Sequence, residues 1–430
     1  MFTSFLPSRT SIVGSALGAL LVVGATLATA APANAVEPEP PVCPQAKAYQ
    51  GIDIVPTPAL ATPDFNAVID ISAGTLPPGV TLAGDRDHGV PYVFQGTPNV
   101  AGAYRFTVRR TFQVGAPLTT ECTMVVSATP AVSRIQGTDR YDQAVQISKA
   151  SFTDADTVYL ASGEKFSDAL SAGSVAGVHG APLLLTPANA LTAGTKAEIA
   201  RLHPDHIVVV GGAASVSKPV LDDLKATFDE AAVTRIGGVD RFDVSRNLIA
   251  DGEFGVPEAS WAYVASGANF PDALAASPAA ITKNAPVLLV NGAETAPTTA
   301  ETALLTSLGV SKIQIAGGTA SVSQALQNAL DTPSVDVTRA SGADRFEAAV
   351  AINQEFLATS TMYLASGLVF PDALSAAPVA GEAGNPIYLV QQNCVPASVL
   401  QEVVRLEPTK IVVLGGPNTL GSGVEMLKPC

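Results

Sequence analysis

Three aspartate–arginine pairs recur along this 430-residue chain: Asp139–Arg140, Asp240–Arg241 and Asp344–Arg345. Two chemistries fit such a pair. An Asp ahead of a helical pattern caps the free amides of the first turn and complements the helix dipole, while its Arg ties to an acid across a unit boundary. Alternatively, the guanidinium reads a carboxylate or phosphate through paired donors. Three glycine pairs keep the same rhythm: Gly211–Gly212, Gly317–Gly318 and Gly415–Gly416, each closing an apolar run ahead of a Ser or Thr and a helical pattern. Such a turn is either a tight strand-to-helix connection or an anion cradle of backbone amides. A third set, Asp168, Asp272 and Asp372, precedes apolar helices rich in small residues, where capping is the expected role.

Other chemistry finds little support. Neither G-x-G-x-x-G nor G-x-x-x-x-G-K is present, so no nucleotide cofactor is expected. The third aspartate set has no second acid at fixed spacing, there is no G-x-S-x-G elbow, and no catalytic residue is expected. Of His88, His179, His203 and His206, only the last two lie close together, without a third ligand, so no metal site is expected. Asp85 and Asp87 lack a twelve-residue calcium loop and read as a polar hairpin turn. The four cysteines fall in two pairs, Cys43 with Cys122 and Cys394 with Cys430, and read as disulfides of an exported protein. Closing the second loop contributes about 4 kcal/mol in the chain-entropy picture.

The elements that position these residues follow from composition and periodicity. The chain is 47% hydrophobic, only 6% aromatic, and carries a formal net charge of −14. Its core must be Ala, Val, Leu and Ile. The acidic balance excludes a general nucleic-acid binder and any purely electrostatic adhesion to an anionic surface. Residues 1–35 read as a signal peptide: Arg9, an apolar run from Ile12 to Ala30, and Ala33-Asn34-Ala35 as the cleavage site. Secretion without stable membrane insertion is therefore expected. A Pro-rich linker (36–42) leads into short alternating segments over 43–128, the pattern of a small β-sandwich.

The rest of the chain repeats itself about every hundred residues. Four blocks occur in order in three copies. Arg134 to Tyr141, Arg235 to Phe242 and Arg339 to Phe346 carry the Asp–Arg pairs. Ala161-Ser162-Gly163 with Phe166 and Asp168 returns at Ala265 to Asp272 and Ala365 to Asp372. Pro182-Leu183-Leu184-Leu185 returns as Pro286-Val287-Leu288-Leu289 and Pro386-Ile387-Tyr388-Leu389, and the glycine pairs close each copy. Continuous apolar runs alternating with helical spacing imply parallel strands and βαβ units, in repeats spanning 132–232, 233–336 and 337–430.

These four blocks resemble the cell-wall-binding repeat type 2 family, which bacterial surface-layer and wall-associated proteins carry in sets of three. The resemblance implies doubly-wound-like α/β modules in a pseudo-threefold unit on the surface of a Gram-positive bacterium. It also implies non-covalent anchoring to anionic or secondary wall polymers, with Pro182, Leu184, Leu185, Pro286, Leu288, Leu289, Pro386 and Leu389 tied to binding. The third copy departs most, through Tyr388. Leu76-Pro77-Pro78-Gly79-Val80-Thr81-Leu82 and Gly96-Thr97-Pro98 through Val108 resemble a bacterial immunoglobulin-like domain, which implies a fold and an unnamed partner. The expected function is a non-catalytic, secreted wall-binding protein. The alternatives are a protein associated with a peptidoglycan hydrolase or amidase, or an adhesin whose immunoglobulin-like domain binds a carbohydrate or protein. Signal, β region and repeats leave no segment for a catalytic domain.

Overall fold

The computed structural model describes residues 38–62, 64 and 66–430, so the expected signal peptide lies outside the described residues. Repeat 1 runs strand Ala131–Ile135, helix Arg140–Ser151, strand Thr157–Ser162, helix Phe166–Val178, strand Leu183–Thr186, helix Ala193–Leu202, strand His206–Val210 and helix Lys218–Thr227. The later three strands are apolar runs buried on both faces, and they pair in parallel with Thr157–Ser162 between the other two.

The fourth place in each sheet is filled from the next repeat. Strand Val233–Ile236 of repeat 2 lies beside His206–Val210, and Asp336–Ala340 of repeat 3 lies beside Lys312–Ala316. Ala131–Ile135 of repeat 1 pairs with Lys410–Leu414 of repeat 3, with Leu414 opposite Ile135, and the ring closes. Limits drawn from the sequence period therefore cut each sheet just before its last strand. The exchange covers an edge that each repeat alone would leave unpaired.

The opposite edge is covered from neighbouring helices. The amide of Val287, on the outer strand of repeat 2, donates to Ser174 Oγ of repeat 1 at 3.0 Å. At the centre, Phe166–Val178 packs against Pro271–Ile281 and Ala376–Glu382. Small residues permit this approach: a Cβ on Gly177 or Gly381 would collide with the Ile281 side chain. None of the helices among the described residues is long and apolar enough to cross a membrane.

The N-terminal part is all β. Lys47–Tyr49, Leu118–Ser127, Gly102–Thr111 and Val68–Gly74 form one sheet, and Thr57–Pro58, Val90–Gly96 and Val80–Asp85 another. Residues of both, including Phe94, Phe106, Val108 and Met124, share one buried core. The two sequence motifs meet: the Asn99 amide donates to the Pro78 carbonyl at 2.9 Å. Asp85 Oδ1 accepts from the Asp87 amide at 2.9 Å in a polar turn. Both expected disulfides are formed, Cys43–Cys122 and Cys394–Cys430, with Cα atoms 5.6 and 5.0 Å apart.

Candidate functional site: clefts at the repeat junctions

In each sheet the chain winds outward in both directions from between the second and fourth strands of a repeat. Open parallel sheets bind ligands in the crevice beyond the carboxyl ends of the strands at such a reversal. The glycine pairs end the fourth strands there, and the Asp–Arg turn of the following repeat forms the facing wall. One cleft, of about 510 Å³, sets Asp139 and Arg140 of repeat 1 against Asp372, Gly416 and Thr419 of repeat 3. A second, of about 300 Å³, sets Asp344 and Arg345 of repeat 3 against Asp272, Gly318 and Ser321 of repeat 2.

The first glycine of each pair is fixed by its surroundings. Gly211, Gly317 and Gly415 have φ of 110°, 102° and 102°, a region side chains disfavour, and a Cβ there would overlap Oδ2 of Asp168, Asp272 or Asp372. An arginine of the following repeat latches each turn. Arg235 donates to the carbonyls of Gly211 and Val216, both at 2.7 Å, Arg339 to Gly317 at 2.8 Å, and Arg134 to Gly415 at 2.6 Å.

The expected capping role of Asp168, Asp272 and Asp372 does not hold. The residues at their helix N-termini are Lys165, Phe270 and Phe370, none with a side-chain cap, and the carboxylates are instead packed under the glycine turns. Asp168 and Asp372 are 4% and 8% exposed. Burial pushes the Asp372 carboxyl up to about 6, although the Thr419 hydroxyl and Arg140 act the other way. Asp272 moves in the same direction through burial, opposed by Ser321 and Arg345.

Asp139, Asp240 and Asp344 do cap their helices; Asp139 Oδ1 accepts from the Tyr141 and Asp142 amides, both at 2.8 Å. Their partners Arg140, Arg241 and Arg345 each donate one Nη1 to the carbonyl of Gly163, Gly267 or Gly367 at 2.5–2.6 Å. Each guanidinium also lies over a phenylalanine of the preceding repeat in the ring: Arg140 over Phe370, Arg241 over Phe166 and Arg345 over Phe270, at 5.8, 5.5 and 6.0 Å. The three phenylalanines meet with centroids 5.7–6.0 Å apart, Phe166 edge to face with each of the other two and Phe270 tilted against Phe370. Among the described residues the other guanidinium nitrogens hydrogen-bond to nothing, and neither do the amides of Gly318 and Gly416.

The Pro-Leu motifs lie elsewhere. Leu184, Leu185, Leu288, Leu289 and Leu389 are at most 1% exposed, and Pro182, Pro286 and Pro386 are buried beside them. Direct polymer contact through these side chains is corrected to a packing role, because strands covered on both faces present no surface. Tyr388 fits the same core: its hydroxyl donates to the buried Glu402 at 2.6 Å.

Sequence reasoning gave no role to Phe166, Phe270 and Phe370, or to Arg134, Arg235 and Arg339. Their recurrence at fixed places in all three copies was the available sign.

The fold and clefts define a closed three-repeat α/β binding module. The chain belongs to the family described as Cell wall binding domain 2 (CWB2), which matches residues 134–221, 235–327 and 339–425. It is 32% identical over 253 residues to the N-acetylmuramoyl-L-alanine amidase LytC of Bacillus subtilis (strain 168), a match over 59% of this chain and 49% of that protein. It is also 32% identical over 267 residues to the Amidase enhancer of the same organism, covering 62% of this chain and 35% of that one. The chain thus spans about half or less of the length of these curated relatives. Cwp6 from Clostridium difficile shares the fold with a TM-score of 0.63 at 20% identity, covering 89% of this chain and 67% of its own. Cwp8 does so with 0.61 at 24%, covering 76% and 58%.

Proposed function

We propose that this chain is a secreted, non-catalytic protein of the Gram-positive cell surface, held on the wall by anionic secondary glycopolymer lodged in the repeat-junction clefts. The observation that carries this reading is the pairing, in each of these two clefts, of a guanidinium that donates to a single carbonyl with a glycine-turn amide that has no partner among the described residues. Phosphate and carboxylate oxygens fit such donors, and arginine supplies them in a fixed fork. The net charge of −14 opposes long-range attraction, so recognition is local. The N-terminal β region is an immunoglobulin-like domain displayed outward by this anchor; the facing of its two motif turns supports that kinship.

The test replaces Arg140, Arg241 and Arg345 together by Gln in the full chain. Retention on purified walls should fall by about tenfold or more, the scale of one charged hydrogen bond, in a variant that still unfolds cooperatively, at a lower melting temperature because three backbone hydrogen bonds and three ring contacts are lost. A folded triple variant that binds like the parent contradicts the reading.

A further inference from the structure

We infer that the three junctions of this chain are not equivalent: those between repeats 2 and 3 and between repeats 3 and 1 admit ligand, while Lys165 closes the one between repeats 1 and 2. The inference rests on the cleft reading above and concerns which clefts serve it.

Two independent features separate the first junction from the others. Lys165 stands where repeat 2 has Asn269 and repeat 3 has Val369. Its Nζ lies over the glycine turn of the same repeat and donates to the carbonyl of Ala214 at 2.9 Å. Neither the amide of Asn269 nor the apolar Val369 can place a cation there. The second feature is the facing turn. Repeat 2 alone has two glycines before its Asp–Arg pair, Gly237–Gly238; the equivalents of Gly237 are Gln136 and Ser341. A Cβ on Gly237 would sit 3.4 Å from the backbone of Gly211 and Gly212, and one on Gly212 would sit 3.5 Å from the Gly238 carbonyl. At Gly318 and Gly416 nothing lies within 4 Å of the same position. The Gly212 turn and the Gly238 carbonyl therefore lie closer at the first junction than their counterparts do at the other two.

The difference is one of access and not of assembly. Arg241 still stacks on Phe166, and Arg235 still latches Gly211, as their counterparts do elsewhere. The first junction is built like the others, with the Lys165 side chain laid over its glycine turn. This protein then grips the wall with two clefts that share repeat 3.

Equivalent exposed positions on the three glycine turns, Ala214, Ala320 and Asn418, allow a matched test. Each is changed to Trp in the full chain, with a melting curve as the folding control, and the affinity for purified walls is measured. Losing one of two linked sites should weaken binding by about 100-fold, so Ala320→Trp and Asn418→Trp should each do so. Ala214→Trp should leave affinity within about twofold, as an ordinary surface change does. Equal weakening by all three overturns the inference but keeps the cleft reading; no weakening by any removes both. In a Lys165→Asn, Gly237→Ser background, which copies the junction of repeats 2 and 3, Ala214→Trp should become as damaging as the others. If it stays silent there, Lys165 is not what closes the cleft.

Discussion

A carboxylate packed beneath a glycine turn, away from water, holds its proton more tightly than it does in an unfolded chain. Asp372 is pushed up to about 6 by burial, against about 3.9 when unfolded. Between those two values the folded chain keeps the proton and the unfolded chain releases it. Stability contributed at this site therefore falls as pH rises through that window, and the loss, on the order of 3 kcal/mol, persists above it. Asp372→Asn removes the titration. Urea unfolding should show the variant more stable than the parent at pH 7.5 and the advantage shrinking towards pH 4; an advantage equal at both would contradict the burial argument. Asp139 and its two counterparts were legible in sequence because a cap acts on amides two and three residues on. Asp372 was not, because its surroundings are the Gly415 turn of a later strand. The Pro-Leu runs were misplaced by resemblance, although their unbroken apolarity already marked core strands.

Strand exchange decides how the elements share their sheets. The alternation of strands and helices in each repeat was readable from apolar runs and helical spacing. Which sheet receives the first strand was not, since a parallel strand reads the same whichever neighbour it joins. Ala131–Ile135 closes the ring on Lys410–Leu414, and Arg134 adds the latch on Gly415. A chain beginning at Gln136 loses both. Hydrogen exchange should then speed up at the amides of Lys410–Leu414 while those of His206–Val210, still flanked by Val233–Ile236, stay slow. Equal protection of the two strands in that chain would refute ring closure as a source of stability.

The whole molecule joins three α/β repeats through strands, central helices and a phenylalanine triangle, and the clefts exist only where repeats adjoin. A repetitive polymer meeting more than one cleft gains affinity by linkage without any single strong contact. The three repeats and the acidic charge were plain in the sequence. The clefts were not, because each is composed of residues from two repeats. The most direct measurement is retention of the full chain on purified walls before and after acid extraction of their secondary polymers. Binding that falls to background on extraction, and is competed by the released polymer, is the expected result. Binding undiminished on extracted walls would make peptidoglycan the ligand and contradict the anionic-polymer assignment.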